Sequence, residues 1–89
     1  MRISFDADLL KQLEELRKRD CKLFKRLDKT LEFYRSNPEH KSLRLHKLSG
    51  ALHDRWSISV GMKHRLIFVK MGDEIYFFEF GTHDEVYRK

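Results

Sequence analysis

The sequence predicts an α+β domain of order β-α-α-β-β-β, in which a helical hairpin packs on one face of a mainly antiparallel four-stranded sheet. Three observations predict it. Residues 56–89 hold three runs rich in β-branched and aromatic side chains, at 56–60, 65–70 and 75–80, joined by short polar connections as in a three-stranded meander. Residues 9–34 carry two apolar stripes at helical spacing. Residues 1–5 alternate, with Ile3 and Phe5 on one side and Arg2 and Ser4 on the other, the period of a further short strand. Both helical stripes need cover, and the apolar surface left to supply it is one face of the sheet. The helices therefore belong on one side, leaving the other face or its rim for a ligand.

After the first strand, Asp6 or Asp8 can cap a helix whose Leu9, Leu10, Leu13 and Leu16 form the buried stripe. Lys11 with Glu15 and Glu14 with Lys18 form i, i+4 pairs on the opposite side. A break at Arg19 and Asp20 starts the second helix, buried through Leu23, Phe24, Leu27, Leu31 and Tyr34 and stopped by Ser36-Asn37-Pro38. Cys21 adjoins that stripe and is expected as a small core or boundary residue. Residues 39–55 read as a connecting loop pinned to the core by Leu43, Leu45 and Leu48, with Gly50 serving a turn. In the meander, Trp56, Ile58 and Val60 share one face while Ser57 and Ser59 share the other. Turns fall at residues 61–64 and 71–74, and the run 75–80, apolar on both faces, suits an interior strand.

Eighty-nine residues suffice for one domain, spanning residues 1–89, with a single modest core. Lys and Arg number 19 against 14 Asp and Glu, a formal charge of +5 that favours an anionic partner such as nucleic acid. One cysteine excludes an intrachain disulfide and a zinc-finger pattern, and fits a reducing cytoplasm. No apolar run approaches the roughly 20 residues of a membrane span, and no secretory leader follows Met1. No membrane partner is expected.

Histidines at 40, 46, 53, 64 and 83 lack the spacing of a zinc site, and no glycine-rich phosphate loop, nucleophile elbow or dinucleotide fingerprint is present. No metal and no small-molecule cofactor are expected. What remains is acid, base and electrostatic chemistry on a phosphodiester, for which RNA brings its own 2′-hydroxyl nucleophile. Such a reaction needs a base, an acid and a cation; histidine suits either proton role because its ordinary pKa lies close to neutrality. Arg65 opens the middle meander strand while His83 and Tyr87 follow the last, so an exposed cation, an imidazole and a phenol can converge at one strand end. The connecting loop adds Lys41, Arg44, His46, Lys47, His53 and Arg55, and the first turn adds Lys63, as candidates to bind RNA phosphates. Plainer roles stand beside these. Arg65 can salt-bridge Glu79 or Asp84, Tyr87 can plug the C-terminal segment onto the core, and Trp56 suits either the core or a stacked base.

At these residues the chain resembles a known group. SLRLHKLSG followed by WSISV, HRLIF and a terminal GTHDEVY is similar to the RelE/ParE superfamily of bacterial and archaeal toxins, close to its YafQ- and YoeB-like mRNA interferases. The resemblance covers nearly the whole chain. It implies a toxin of a type II toxin–antitoxin system, a metal-independent endoribonuclease that enters the ribosomal A site, contacts 16S rRNA and cleaves mRNA. A cognate antitoxin would hold it inactive. His83 in GTH and His46 in HKLSG resemble catalytic histidines of the YafQ branch, Arg65 in HRLIF the phosphate-stabilising arginine of the RelE and YoeB branches, and Tyr87 the RelE-type C-terminal tyrosine. Ser57 and Ser59 replace lysines of RelE itself, and Lys63 stands where the YafQ branch has an aspartate. The ParE branch shares the fold but inhibits DNA gyrase, so a gyrase inhibitor and a catalytically inactive nucleic-acid or antitoxin binder remain the alternatives.

Overall fold

The computed structural model describes residues 1–48 and 55–87. Gly50 and His53, read above as a turn residue and an RNA contact, lie outside the described residues. The elements run β1 (Arg2–Phe5), α1 (Ala7–Arg19), α2 (Cys21–Ser36), a 3₁₀ turn (Lys41–Leu43), β2 (His46–Lys47), β3 (Arg55–Val60), β4 (His64–Met71), β5 (Glu74–Thr82) and α3 (His83–Tyr87). The class is α+β. The sheet has five strands in the order β1-β5-β4-β3-β2, where four were expected, and only β1–β5 is parallel. The added strand is β2, two residues of the loop that pair His46 with Ser57 and Lys47 with Trp56. Two residues are too few to show a period, which is why the sequence reads there as loop.

Asp6 starts α1 from an extended conformation, accepting from the backbone N–H of Asp8 at 3.0 Å and of Leu9 at 3.3 Å. The Tyr76 hydroxyl donates to the same carboxylate at 2.8 Å, tying the helix start to β5. That bond, aided by the two N–H groups, holds the Asp6 carboxyl below its ordinary range and pushes the Tyr76 phenol up. Asp20 then ends one helix and begins the next: its N–H donates to Leu16 O at 2.7 Å and its side chain accepts from Leu23 N at 3.2 Å. One residue thus makes the whole hairpin turn.

Leu9, Leu13 and Leu16 of α1 and Leu27 and Tyr34 of α2 are buried against Ile58, Val60, Leu66, Phe68, Phe77 and Phe80. Two expectations fail here. Leu10 is 52% exposed, because at 100° per residue it lies off the Leu9–Leu13–Leu16 seam that faces the sheet. Cys21 is exposed, not a core or boundary residue, since it opens α2 directly after the hairpin turn. Tyr34, Phe68 and Phe77 form the aromatic centre, with ring centroids 5.1–5.9 Å apart.

Strand β5 is interior, as its apolar sequence suggests, but it does not alternate throughout. Ile67 pairs with Glu79 and the next residue, Phe68, with Phe77, so Phe78 is bulged out. The bulge shifts the phase, which lets Ile75, Phe77 and Phe80 all face the helices. The hairpin covers that face. The opposite face carries Ser57, Ser59, Arg65 and Ile67, and residues 83–87, to which the expected β-α-α-β-β-β order gave no element, fold over it as α3, so that helices lie on both sides where one side was expected.

Candidate active site

The site grows from the second face of the sheet. Ser57 and Ser59 alternate with Ile58 and Val60 on β3, so their side chains point away from the core. Arg65 pairs directly with Ser59 and shares that face. Its Nη1 donates to Ser59 Oγ, its Nη2 to Ser57 Oγ at 2.7 Å and to Arg44 O at 3.2 Å, and its Nε to Ser57 Oγ at 3.2 Å and Tyr87 Oη at 3.3 Å. Ser57 Oγ and Tyr87 Oη lie 2.6 Å apart. Arg65 is therefore half-buried and fixed, where the sequence suggested an exposed side chain. Each of these acceptors is neutral. Among the described residues no carboxylate lies within ion-pair distance of Arg65, so the expected alternative of a bridge to Asp84 is not formed.

Helix α3 is placed by local chemistry. Thr82 and Glu85 form a capping box: the Thr82 N–H donates to Glu85 Oε1 at 2.7 Å, and the Glu85 N–H donates to Thr82 Oγ1 at 3.3 Å. Beneath it Gly81 leaves no room. A Cβ there would stand 2.8 Å from Glu85 Oε1 and 3.1 Å from Glu85 Cβ, so a larger residue would press on the capping glutamate. Docked so, α3 sends Tyr87 to Ser57 and sets His83 edge-on to the Tyr87 ring, with centroids 4.3 Å apart. The Glu85 carboxyl is held below its ordinary range, chiefly by the Thr82 backbone N–H and then by its hydroxyl. A carboxyl with a depressed folded pKa stabilises the docked helix above its unfolded pKa, and that contribution is lost as pH falls through the folded value. Acid titration should therefore release the amide resonances of residues 83–87 below the range where a free glutamate titrates. In Glu85→Gln, whose amide can still cap, the same resonances should lose that transition; a transition that persists would assign the effect elsewhere.

His46, Leu48, Arg65, His83 and Tyr87 line one cleft of about 440 Å³. The four residues that the sequence singles out for chemistry are thus brought together, His46 because it pairs with Ser57 and shares its face. The candidates for RNA contact are not gathered there. Arg55 lies on the same face with its guanidinium 4.8 Å from the Phe78 ring, and Arg44 offers the cleft its carbonyl. Lys41 stands exposed in the 3₁₀ turn. Lys47 pairs with Trp56 on the helix side, its ammonium 5.7 Å from the indole centroid. Lys70 lies 4.1 Å from that centroid, and Trp56 packs partly buried against the core, the first of the two roles read for it. Lys63 lies beside Asp20, Lys22 and Arg26 at the start of α2.

Sequence reasoning treated Ser57 and Ser59 as departures from a basic pattern, yet they hold the arginine. A buried polar pair on a strand facing an arginine was the available signal. The T-x-x-E run of residues 82–85 was the missed signal for α3. Among the described residues no three His, Cys, Asp or Glu side chains gather into a metal site. The cleft offers a guanidinium, two imidazoles and a phenol.

No protein-family profile matches the sequence, and a search of curated proteins finds no match. Solved structures do. A YoeB/ParE toxin from Agrobacterium tumefaciens superposes with a TM-score of 0.76 at 14% identity, covering 93% of this chain and 99% of that one. The YoeB–YefM complex from Staphylococcus aureus gives 0.75 at 18%, covering 93% and 97%. The Escherichia coli DinJ–YafQ toxin–antitoxin pair gives 0.72 at 22%, covering 98% and 99%. At such identities the likeness is one of fold, and the fold of this chain is the RelE/YoeB/YafQ-like toxin fold.

Proposed function

We propose that the chain is the toxin of a type II toxin–antitoxin pair, a single-domain cytoplasmic endoribonuclease that cleaves mRNA in the ribosomal A site. The observation that carries this reading is Arg65: a guanidinium with no carboxylate at ion-pair distance among the described residues, held by neutral acceptors in a cleft with two histidines. A surface arginine that served stability alone would gain from a carboxylate partner. One kept unneutralised suits a phosphate. The likeness to YoeB and YafQ structures, some solved with YefM or DinJ, supports the class and a protein antitoxin as partner.

In the proposed reaction a base removes the 2′-hydroxyl proton, O2′ bonds to phosphorus, and the P–O5′ bond breaks as an acid protonates the leaving oxygen. The products are a 2′,3′-cyclic phosphate and a 5′-hydroxyl. Arg65 stabilises the charge that builds on the non-bridging oxygens. His46 and His83 serve as the proton-transfer pair. Tyr87 already bonds Ser57 and Arg65 through its hydroxyl, so its part is to hold the arginine.

Inducing the chain alone, then with its genetic neighbours, tests the reading. Rapid translation arrest with new 5′ ends within mRNA, relieved by one neighbour, is expected. Altered DNA supercoiling without mRNA cleavage would instead make the chain a gyrase inhibitor, and binding to a neighbour without either effect would make it an inactive homologue.

A further inference from the structure

The face of the sheet that carries Arg65 extends past the cleft. Arg55 pairs with Val69 and Val69 with Tyr76, and the bulged Phe78 joins them on that side, where Arg55 reaches it. Helix α3 closes only the Ser57–Arg65–Gly81 end, through Tyr87 and Val86. Beyond it Arg55, Val69, Tyr76 and Phe78 are each half-exposed, and Met71 at the far rim is 53% exposed.

The Tyr76 and Phe78 rings are nearly parallel, with centroids 6.3 Å apart and planes inclined by 15°. The Tyr76 hydroxyl is anchored on Asp6 at 2.8 Å, so its ring is fixed from the start of α1. The Arg55 guanidinium stands over the Phe78 ring, 4.8 Å from the centroid. Parallel rings and a guanidinium plane are the surfaces on which unpaired bases stack, as on sheets that read single-stranded RNA. A protein partner would instead want a broad apolar patch, and the half-exposed apolar side chains here amount to two rings and a valine, with a methionine at the rim. The carboxylates of this face are already engaged: Glu74 by Ser4 at 2.7 Å and Arg2 at 3.8 Å, and Glu79 likewise has a partner.

Position ties this surface to the cleft. Arg55 precedes Ser57, which holds Arg65, by two residues on β3, about 7 Å and on the order of one nucleotide step along the strand. We propose that Arg55, Tyr76 and Phe78 form a stacking shelf for a base of single-stranded RNA, one that flanks the phosphate held at Arg65. Every base has a face to stack, so the shelf sets the register of the strand more than its sequence, with purines favoured by their larger area. Its place in the reaction rests on the reading of Arg65 as the phosphate-binding group; the stacking itself does not.

The test titrates the full-length chain with 2′-O-methyl oligoadenylate, which lacks the attacking hydroxyl, and with an abasic strand of equal length, which offers the phosphates alone. Oligoadenylate should shift the ring resonances of Tyr76 and Phe78 together with the Arg65 Nε–H; the abasic strand should leave the rings unmoved. Phe78→Leu, checked by its thermal melt, keeps apolar bulk without an aromatic face. It should weaken oligoadenylate about tenfold, the scale of one stacked base, with no change for the abasic strand, and Phe78→Trp should restore the affinity. Arg55→Met, which keeps the length of the side chain without the guanidinium plane, gives the same readout should Phe78→Leu not fold. Rings unmoved at millimolar oligoadenylate, or equal losses for the two strands, would overturn the shelf. Shifted rings beside an unmoved Arg65 resonance would overturn its link to the cleft. If the product of a genetic neighbour shifts the rings and oligoadenylate does not, the face docks a protein and the proposal falls. None of these readouts uses RNA cleavage, so a failed nuclease reading and a failed shelf are told apart.

Discussion

Arg65→Ala should lower the rate of cleavage of ribosome-bound mRNA by about 10²-fold or more, the scale on which a single aimed donor stabilises developing charge. The expectation rests on pre-organisation. Five hydrogen bonds to Ser57, Ser59, Tyr87 and the Arg44 carbonyl fix the guanidinium plane before substrate arrives, and among the described residues no carboxylate pairs with it. Because those bonds also tie α3 to the sheet, the alanine variant should lose some stability, about 1–3 kcal/mol for bonds from a charged group. Arg65→Lys separates the two effects. Lysine keeps the charge but not the planar fork that engages both serines, so it should recover part of the binding to RNA and little of the rate. Either variant cleaving at a near wild-type rate while folded would remove Arg65 from the reaction.

Much of the fold was legible because burial imposes period. Leu9, Leu13 and Leu16, then Leu27 and Tyr34, had to face something apolar, and Ile58, Val60, Leu66, Phe68 and Phe77 were the alternating surface available. What escaped has no period to read. Strand β2 is two residues long, the Phe78 bulge is a local slip in an otherwise regular ladder, and α3 spans five residues. Leu10 and Cys21 were misjudged for a related reason: membership of a stripe depends on the direction from which the sheet covers the helix, and a stripe three leucines long leaves that direction open.

The candidate site was legible in its chemistry and only partly in its construction. Arg65 and the 81–83 segment had to be close, since antiparallel strands place the end of one beside the start of the next, and Arg65 does pair with Gly81. His46 reaches the same face only through the β2–β3 pairing, which no sequence period announces. Gly81 shows why a glycine next to a motif histidine can matter for packing: its missing side chain is the space that Glu85 and Val86 occupy. The basic residues, by contrast, were read as one patch from their nearness in sequence. The strand pairing sends Lys47 to the helix side of the sheet and the hairpin turn sets Lys63 beside α2, so among the described residues Arg65 is the one Lys or Arg that lines the cleft.

His83→Gln should reduce the cleavage rate by about 10²–10⁴-fold and remove one limb of the pH–rate profile, as expected for a positioned acid or base. His83 opens α3 directly after the capping threonine, and its ring abuts Tyr87 at 4.3 Å, so its position is set by the same contacts that dock the helix. Asp84 Oδ1 is 3.9 Å from His83 Nδ1, but both side chains are largely exposed, so Asp84→Asn should change the rate little. His46→Gln should remove the other limb, because His46 is the second imidazole of the cleft. Tyr87→Phe should leave both limbs in place and lower the rate through a less firmly held Arg65. The double variant of His46 and His83 should be little slower than the worse single one, since two groups that act as a proton-transfer pair fail together. Retention of both limbs in His46→Gln with loss of one in Tyr87→Phe would make the phenol the partner of His83. A folded His83→Gln protein that cleaves ribosome-bound mRNA at full rate would exclude the histidine pair altogether.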